Sequence, residues 1–274
     1  MSFSFLARVV FVLQLALAVY GNPTRTTRLP SLYLCSDSTA SNYDPQTTVI
    51  QGFGYYLHDY LSIPVHNLAR AGRSTRSFQN QGLWAQLLAM VVPGDFVVIE
   101  MGHNDNGTPG TGGDVGKDRA VLPGVGEETI VVQNTTGGTG SETVYTFGHY
   151  LRGMIKDVRK RGGIPVLSGM VPTMAWTNGT LQTSWPFTEW ARQTAESERT
   201  GFIDHTEYSV EMFQGLGETK SLTMFPEDHT HTNAAGATVN TESFVTGIKC
   251  GRSLQTGGLS MFINHKGRTI KWKC

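Results

Sequence analysis

Short apolar runs alternate with longer amphipathic segments along this chain, and this alternation restricts the possible fold more than any other feature. The apolar runs are mostly continuous in hydrophobicity, which is typical of parallel strands covered on both faces. They predict strands at 31–35, 64–69, 95–101, 164–170 and 201–204. The amphipathic segments predict helices at about 47–61, 76–91, 145–161, 187–199, 207–216 and 233–248. The last helix follows Thr232 and Asn233, either of which can act as its N-cap.

This alternation predicts the α/β class, here a three-layer α/β/α sandwich with a mostly parallel, five-stranded sheet. With 274 residues, 39% of them hydrophobic, the chain can bury one substantial core, so residues 22–274 are interpreted as a single domain. Residues 106–144 are rich in Gly, Thr and Pro and far exceed a normal connection. We interpret them as a long loop insertion that is functional or bears glycans. A domain boundary there is the alternative, but neither flank would form a complete sheet alone.

The first 21 residues have the pattern of a targeting segment. They carry one basic residue, Arg8, and an apolar run from Val9 to Val19, which small residues follow. That run is too short to span a bilayer comfortably as a helix. Residues 1–21 are therefore interpreted as a secretory signal peptide, and the mature protein is expected to be secreted and extracellular. A buried N-terminal helix is the alternative.

Three cysteines fit an oxidising compartment. Cys250 and Cys274 flank a Gly/Ser-rich tail that would otherwise fray, so a disulfide between them is the natural pairing. Cys35 ends an apolar run and is interpreted as a buried free thiol rather than a nucleophile. The sequence contains no CxxC or HExxH pattern, and we therefore expect no metal site.

The net charge and the glycosylation sequons indicate what the protein surface can bind or carry. The net charge is zero and no Lys/Arg run occurs, which argues against nucleic acid as a partner. Asn134 and Asn178 begin Asn-x-Ser/Thr sequons in loop-like stretches and are candidate glycosylation sites. A third sequon, at Asn106, adjoins a candidate active-site motif, where a glycan would obstruct access.

Polar residues with complementary chemistry follow the predicted strands. Ser38, Gly72 and Asn104 come after the first, second and third strands, and Asp228 and His231 precede the last helix. Open α/β sheets bind ligands outside the carboxyl ends of their strands. A serine nucleophile needs a histidine base that a carboxylate orients, and the developing oxyanion needs fixed N–H donors. The five residues supply candidates for each role.

These motifs resemble those of the SGNH (GDSL-type) hydrolases and, within them, the rhamnogalacturonan acetylesterases. The four sequence blocks occur in the order of that family: SDST at 36–39, AGRSTRSF at 71–78, GHND at 102–105 and DHTH at 228–231. Further stretches that are similar to that branch lie at 142–151, 164–173 and 202–208. The resemblance covers nearly all of residues 22–274 and implies the flavodoxin-like SGNH hydrolase fold.

The resemblance also implies a role for each residue. Ser38 matches the nucleophile, His231 the general base and Asp228 its orienting carboxylate. The backbone N–H groups of Ser38 and Gly72 and the side-chain amide of Asn104 match the donors of the oxyanion hole. No cofactor or metal is needed for this chemistry. Glu227 and His229, which flank Asp228, are interpreted as neighbours without a catalytic role.

The function that this resemblance implies is a secreted esterase, expected to be a monomer, that removes acetyl groups from pectic rhamnogalacturonan through an acetyl-enzyme. One alternative keeps the chemistry and changes the substrate to acetylated xylan, another acetylated glycan or a small ester. Another is a catalytically impaired secreted carbohydrate-binding protein, because block I begins with Ser36 where the family has glycine. The Cβ of Ser36 could crowd the turn that aims Ser38.

Two arginines in the second block have two possible roles. Arg73 and Arg76 can bind the carboxylate of an acidic sugar or brace the surrounding loop. Asp37, next to the candidate nucleophile, is expected to bond to the backbone of its turn.

Overall fold

The computed structural model describes residues 28–133, 140–251, 256–272 and 274. The predicted signal peptide at 1–21 and the candidate glycan carrier Asn134 lie outside the described residues. Within the described part of the chain, none of the helices combines the length and the apolar character that crossing a membrane requires.

Strands and helices alternate along the chain. The strands are, in chain order, β1 Leu32–Cys35, β2 Val65–Asn67, β3 Phe96–Ile99, β4 Thr129–Gln133, β5 Ser141–Tyr145, β6 Ile164–Ser168, β7 Trp176–Thr177, β8 Thr180–Leu181 and β9 Gly201–Ile203. The α-helices are α1 Thr75–Asn80, α2 Leu83–Met90, α3 Phe147–Lys160, α4 Pro186–Ser197, α5 His205–Leu216, α6 Glu218–Leu222, α7 Ala234–Cys250 and α8 His265–Arg268.

The central sheet has five strands in the order β2-β1-β3-β6-β9, and every neighbouring pair is parallel. Each strand coincides with one of the predicted apolar runs, so the α/β prediction is confirmed. The chain leaves β1 towards β2 on one side and returns to β3 on the other. The ends of β1 and β3 therefore form the topological switch point, where sheets of this type bind ligands.

Alternate residues of each strand enter two separate cores. Leu32 and Leu34 pack on the face that α7 covers, through contacts with residues such as Phe244. Tyr33 and Cys35 belong to the opposite face, which α2, α3 and α4 cover. Both faces of the sheet are thus buried under helices, which explains why the strands are nearly continuous in hydrophobicity.

The helix predicted at 47–61 is wrong. This segment forms only the short 3-10 turns Phe53–Tyr55 and Leu57–Asp59. Its earlier backbone groups bond to other loops, because the N–H of Gln51 donates to Thr232 O at 2.7 Å and the N–H of Gly52 to Ser41 O at 3.1 Å. Tertiary hydrogen bonds have replaced the helical ones at these positions.

Other helices follow the predictions more closely. The segment predicted as one helix at 76–91 divides into α1 and α2 because Gly82 adopts a left-handed conformation, with φ of 74°. Helix α7 begins after Asn233, whose side chain accepts hydrogen bonds from the N–H groups of Ala235 and Gly236. Asn233 rather than Thr232 is therefore the N-cap.

The insertion at 106–144, predicted as a long loop, contains regular structure among its described residues. Strands β4 and β5 form an antiparallel hairpin across its end, and Gly112–Asp114 forms a 3-10 turn. The hairpin was missed because Gly, Thr and Pro dominate the surrounding insertion and each strand buries a single residue, Val132 or Val144, so neither strand shows an alternating apolar pattern.

The cysteines and the described sequon also have defined positions. Cys250 and Cys274 form a disulfide. Cys35 is a free thiol in the core, and burial raises its pKa well above the ordinary value. Asn178 is exposed at the turn between β7 and β8, with φ of 51°. Its use as a glycan carrier stays a prediction.

Candidate active site

Ser38 lies on a tight turn directly after β1. The turn is closed by N–H to carbonyl bonds from Ala40 to Asp37 and from Ser41 to Ser38, both at 3.3 Å. The Oδ1 atom of Asp37 accepts from the N–H and hydroxyl of Thr39 at 2.9 and 2.8 Å. The Asp37 carboxylate thus fixes the turn, as expected, and the turn presents Ser38 at the carboxyl edge of the sheet.

His231 and Asp228 lie on the loop before α7 and form a relay to Ser38. The Nε2 atom of His231 is 2.9 Å from Ser38 Oγ, and its Nδ1 atom is 2.6 Å from Asp228 Oδ2. The other carboxylate oxygen of Asp228 accepts from the N–H groups of Thr230 and His231, each at 2.7 Å. The structure therefore brings the three predicted residues together across 193 positions of sequence.

The protonation of this relay follows from its hydrogen bonds. Burial raises the pKa of Asp228, but the bonds from His231 and Thr230 outweigh it and hold the pKa below the ordinary value. Because an ionised carboxylate can only accept, Nδ1 of His231 is the donor to Asp228. The Nε2 atom of the neutral ring is then free to accept the proton of Ser38.

The loops that carry Ser38 and His231 are joined by the segment at 50–53. Phe53 N–H donates to Thr39 O at 3.0 Å, on the turn of Ser38. On the other side, the hydroxyl of Thr232 donates to Gln51 O at 2.8 Å, next to His231. The distance between nucleophile and base therefore depends on backbone bonds to a third segment.

Gly72 and Asn104, the other predicted oxyanion donors, are also linked. Gly72 has φ of 75°, a conformation that favours glycine. Arg73 Nη1 donates to Ala71 O at 2.7 Å, which fixes the peptide plane that contains the N–H of Gly72. The Nδ2 atom of Asn104 donates to Arg73 O at 3.2 Å. The second and third blocks thus meet at the switch point.

Both arginines of the second block brace the structure. Arg76 is fully buried and bonds to the Glu142 carboxylate at 2.7 and 3.1 Å and to Asp114 at 3.3 Å. It therefore holds the insertion against α1 and is not placed to bind a sugar. Arg73, which is partly buried, spends two of its nitrogens on Ala71 O and Gln81 Oε1.

Asp105 is a buried acid beneath these loops. Its Oδ1 atom accepts from the N–H and hydroxyl of Thr75 at 2.9 and 2.5 Å, which ties β3 to the start of α1. Desolvation outweighs these bonds and raises the pKa of Asp105 to about 7. Its other oxygen is buried and has no hydrogen-bond partner among the described residues.

Ser36 stands where the resemblance leads one to expect glycine, and its backbone does not need that residue. The positive φ angles of non-glycine residues in the described chain fall at Asp118, Asn178 and Arg199, and not at Ser36. Its side chain is fully buried, and its hydroxyl has no partner among the described residues. Serine in place of glycine therefore leaves one buried hydroxyl without a hydrogen bond, but it does not strain the turn.

The positioning residues were missed by sequence reasoning to different degrees. Asp105 is the last residue of the GHND motif and Thr232 directly follows the DHTH motif, so the motifs could have drawn attention to both residues. Tyr43 and Arg119 carry no sequence pattern that marks them. The Tyr43 hydroxyl donates to Ser38 O at 3.1 Å, and Arg119 contacts Asn104.

For metal ions, the described residues include no group of three or more His, Cys, Asp or Glu side chains that could hold one.

Comparisons with known proteins identify the family of this chain. Residues 37–239 match the profile of the family described as GDSL-like Lipase/Acylhydrolase. The chain is 33% identical over 223 residues to a protein named rhamnogalacturonan acetylesterase from Emericella nidulans, covering 80% of this chain and 85% of that protein. It is 28% identical over 226 residues to the probable rhamnogalacturonan acetylesterase YesY of Bacillus subtilis, covering 80% and 92%.

Solved structures share the fold. The crystal structure of YxiM from Bacillus subtilis matches with a TM-score of 0.63 at 23% identity, covering 81% of this chain and 56% of that chain. Axe2, an acetylxylan esterase from Geobacillus stearothermophilus, matches with a TM-score of 0.52 at 14% identity, covering 80% and 93%. Because the family profile matches more than half of this chain, the chain belongs to the GDSL-like lipase/acylhydrolase family and is a carboxylic ester hydrolase.

Proposed function

We propose that this protein is an acetylesterase that removes acetyl groups from a glycan, with Ser38 as nucleophile, His231 as general base and Asp228 as its orienting carboxylate. The observation that carries the proposal is the unbroken hydrogen-bonded relay from Ser38 Oγ through the imidazole to Asp228, with distances of 2.9 and 2.6 Å. Such a relay activates a hydroxyl that is otherwise a weak nucleophile at neutral pH.

In the first half of the reaction, Ser38 Oγ attacks the acetyl carbonyl carbon while its proton passes to His231 Nε2. The carbonyl oxygen becomes an oxyanion, which the N–H groups of Ser38 and Gly72 and the amide of Asn104 stabilise. The intermediate then collapses, the bond to the sugar oxygen breaks, and the imidazolium returns its proton to that oxygen. The sugar leaves with a free hydroxyl, and Ser38 carries an acetyl group.

In the second half, water attacks the acetyl-enzyme and gives its proton to His231 Nε2. Collapse of the second intermediate breaks the bond between Ser38 Oγ and the acetyl carbon. Acetic acid leaves and loses its own proton to solvent to become acetate, and the proton on His231 passes to Ser38 Oγ. The Asp228 carboxylate stabilises the imidazolium in both halves and is not itself protonated.

Acetylated pectic rhamnogalacturonan is the proposed substrate. Two relatives that match across most of their length carry the name rhamnogalacturonan acetylesterase, one of them as probable. The exposure of the relay also supports a polymer, because the side chains of His231 and Asp228 are 29% and 45% exposed. A chain of sugars can lie across a site of this kind without entering a deep cavity.

Secretion belongs to the same proposal. The disulfide between Cys250 and Cys274 supports an oxidising compartment such as the secretory pathway or the cell exterior. Residues 1–21 are proposed to act as the signal peptide, and the protein is proposed to work as an extracellular monomer.

The test is acetate release from acetylated rhamnogalacturonan and, in parallel, from acetylated xylan. Wild type, Ser38→Ala and the control Ser36→Ala, a buried serine two positions away, are compared after each is shown to be folded. We expect release from the pectic substrate by wild type and Ser36→Ala and its loss in Ser38→Ala. Release from xylan alone would show that acetylated xylan, and not rhamnogalacturonan, is the substrate. Undiminished release by Ser38→Ala would overturn the mechanism.

A further inference from the structure

Arg119 reaches from the insertion to both residues that supply the outer oxyanion donors. Its Nη1 atom donates to Asn104 Oδ1 at 3.0 Å and lies 3.4 Å from Gly72 O. Its side chain is partly buried. One guanidinium nitrogen therefore spans the second and third blocks, although Arg119 belongs to neither.

This contact determines which way the Asn104 amide faces. Arginine carries donors and no acceptor, so the atom that faces Arg119 must be the amide oxygen. The amide nitrogen then faces the other side, where one of its two hydrogens bonds to Arg73 O at 3.2 Å. The second hydrogen stays available for the oxyanion. If the amide rotated by half a turn, an oxygen would replace that donor and repel the developing negative charge.

Arg119 is itself held by the buried core of the insertion. Asp114 Oδ1 accepts from the N–H groups of Arg119 and Ala120, each at 2.7 Å. Asp114 Oδ2 accepts from the N–H of Gly110 at 2.8 Å and from Arg76 at 3.3 Å. Because Asp114 and Arg76 are both buried, the backbone of Arg119 is fixed relative to α1.

We propose that Arg119 is a positioning residue for the oxyanion hole: it locks the amide of Asn104 with its nitrogen towards the ester and restrains the carbonyl of Gly72. The insertion at 106–144 would thus complete the hole from outside the four sequence blocks. This inference rests on the proposed function, since it concerns how well the same site stabilises an oxyanion.

The test compares Arg119→Met, which keeps the aliphatic stem, with Arg119→Lys, which also keeps the positive charge and hydrogen-bond donors. Arg152→Met is the matched control, because the Arg152 guanidinium likewise donates to two carbonyl oxygens, here Val125 O at 2.6 Å and Gly126 O at 2.9 Å, outside the four sequence blocks. Each variant is made with Asn104 intact and with Asn104→Ala. Turnover of 4-nitrophenyl acetate gives kcat and KM, and thermal unfolding checks that each variant is folded.

We expect Arg119→Met to lower kcat by about 10- to 100-fold with little change in KM, somewhat less than the loss of an oxyanion donor. Arg119→Lys should recover most of that loss, and Arg152→Met should leave kcat near the wild-type value. With Asn104→Ala already present, Arg119→Met should lower kcat by no more than about threefold, because the amide that it positions is gone.

Three results would overturn the inference. They are an unchanged kcat in Arg119→Met, an equal loss in the two Asn104 backgrounds, or a loss confined to KM. If wild type neither turns over the ester nor is labelled at Ser38 by a fluorophosphonate, the proposed function fails and the inference fails with it. An active, labelled wild type with an unaffected Arg119→Met variant would reject the inference alone.

Discussion

Two side chains under the proposed site carry buried oxygens that find no hydrogen-bond partner within the described chain: Asp105 Oδ2 and Ser36 Oγ. A buried polar atom of this kind costs stability, and the cost depends on whether the group is charged or neutral. Asp105 can remove its charge by taking a proton, whereas Ser36 cannot change its state. At the scale of single residues, the two therefore predict different behaviour.

For Asp105, the consequence is a pH dependence of stability. Its pKa is raised from 3.8 to about 7, so the folded protein holds a proton that the unfolded chain has already lost in this interval. The free energy of unfolding should therefore fall as pH rises from about 4 to about 7, by at most about 4 kcal/mol from this residue. Asp105→Asn should flatten this slope.

Urea denaturation at several pH values from about 4 to about 8 measures the slope for wild type and Asp105→Asn. The control is Asp44→Asn, which alters an exposed carboxylate outside the core. If Asp105→Asn kept the wild-type slope, the pKa of Asp105 would not be the source of the pH dependence.

For Ser36, the consequence is a gain in stability on truncation. Ser36→Ala removes a buried hydroxyl that makes no bond and should raise the free energy of unfolding by about 1 kcal/mol. Ser41→Ala is the matched comparison, because the buried Ser41 hydroxyl donates to Asp37 O at 2.8 Å. That variant should lose about 1 kcal/mol. Chemical denaturation of the two variants should give changes of opposite sign, and a shared sign would contradict the account.

At the scale of elements, the segment at 50–53 links the two loops that carry Ser38 and His231. Instead of forming helical bonds, its backbone donates to Thr39 O and Thr232 O and accepts from the hydroxyl of Thr232. It works as a spacer between the turn of Ser38 and the loop of His231. The relay therefore depends on an element that makes no contact with the ester in the proposed mechanism.

Thr232→Val tests this spacer. The change keeps the shape of the buried side chain but removes its 2.8 Å hydrogen bond to Gln51 O. We expect a loss of about 1 to 2 kcal/mol in stability and a fall of about tenfold in kcat, because the loop of His231 is held less firmly. Thr238→Val is the control, because the Thr238 hydroxyl donates to Ala234 O within α7 and not to the segment at 50–53. Equal kcat values for the two variants would show that the spacer does not govern the relay.

Prediction from sequence succeeded where local pattern and tertiary structure agree. All five strands of the central sheet and the long helices α3, α4, α5 and α7 fall close to their predicted positions, because each buries a face that the apolar pattern marks. The helix predicted at 47–61 did not form because distant loops supply the hydrogen-bond partners of its backbone. The hairpin of β4 and β5 was missed because each of its strands buries only one residue, so no apolar alternation marks them in the sequence.

The same reasoning explains what was foreseen of the site. Motif order identified Ser38, Gly72, Asn104, Asp228 and His231 as candidates, since each stands at a strand end or before the last helix. It could not identify Arg119, because nothing in the insertion has a fixed spacing from the motifs. Contacts of this kind depend on how the insertion folds back, which local sequence does not record.

At the scale of the whole molecule, the disulfide ties the last residue to the end of α7. It joins positions 24 apart, so it restricts the unfolded chain over a loop of moderate length. Replacing both cysteines by serine should lower the free energy of unfolding by about 3 kcal/mol. Denaturant unfolding of the double variant measures this loss. The Cys35→Ser variant is the control for a buried thiol outside the disulfide. It keeps the disulfide, so reductant should lower its stability as it lowers that of the wild type, whereas the stability of the double variant should not change with reductant.

The order of the relay along the chain has a consequence for synthesis. Ser38 leaves the ribosome early, whereas Asp228 and His231 emerge only with the last quarter of the chain. A nascent or prematurely terminated product therefore displays the serine and lacks the base that would activate it. If the proposed relay is the catalytic one, the growing chain cannot attack esters until His231 has been made and the loop before α7 has folded against Ser38, so hydrolytic competence is itself a sign that synthesis has passed this loop.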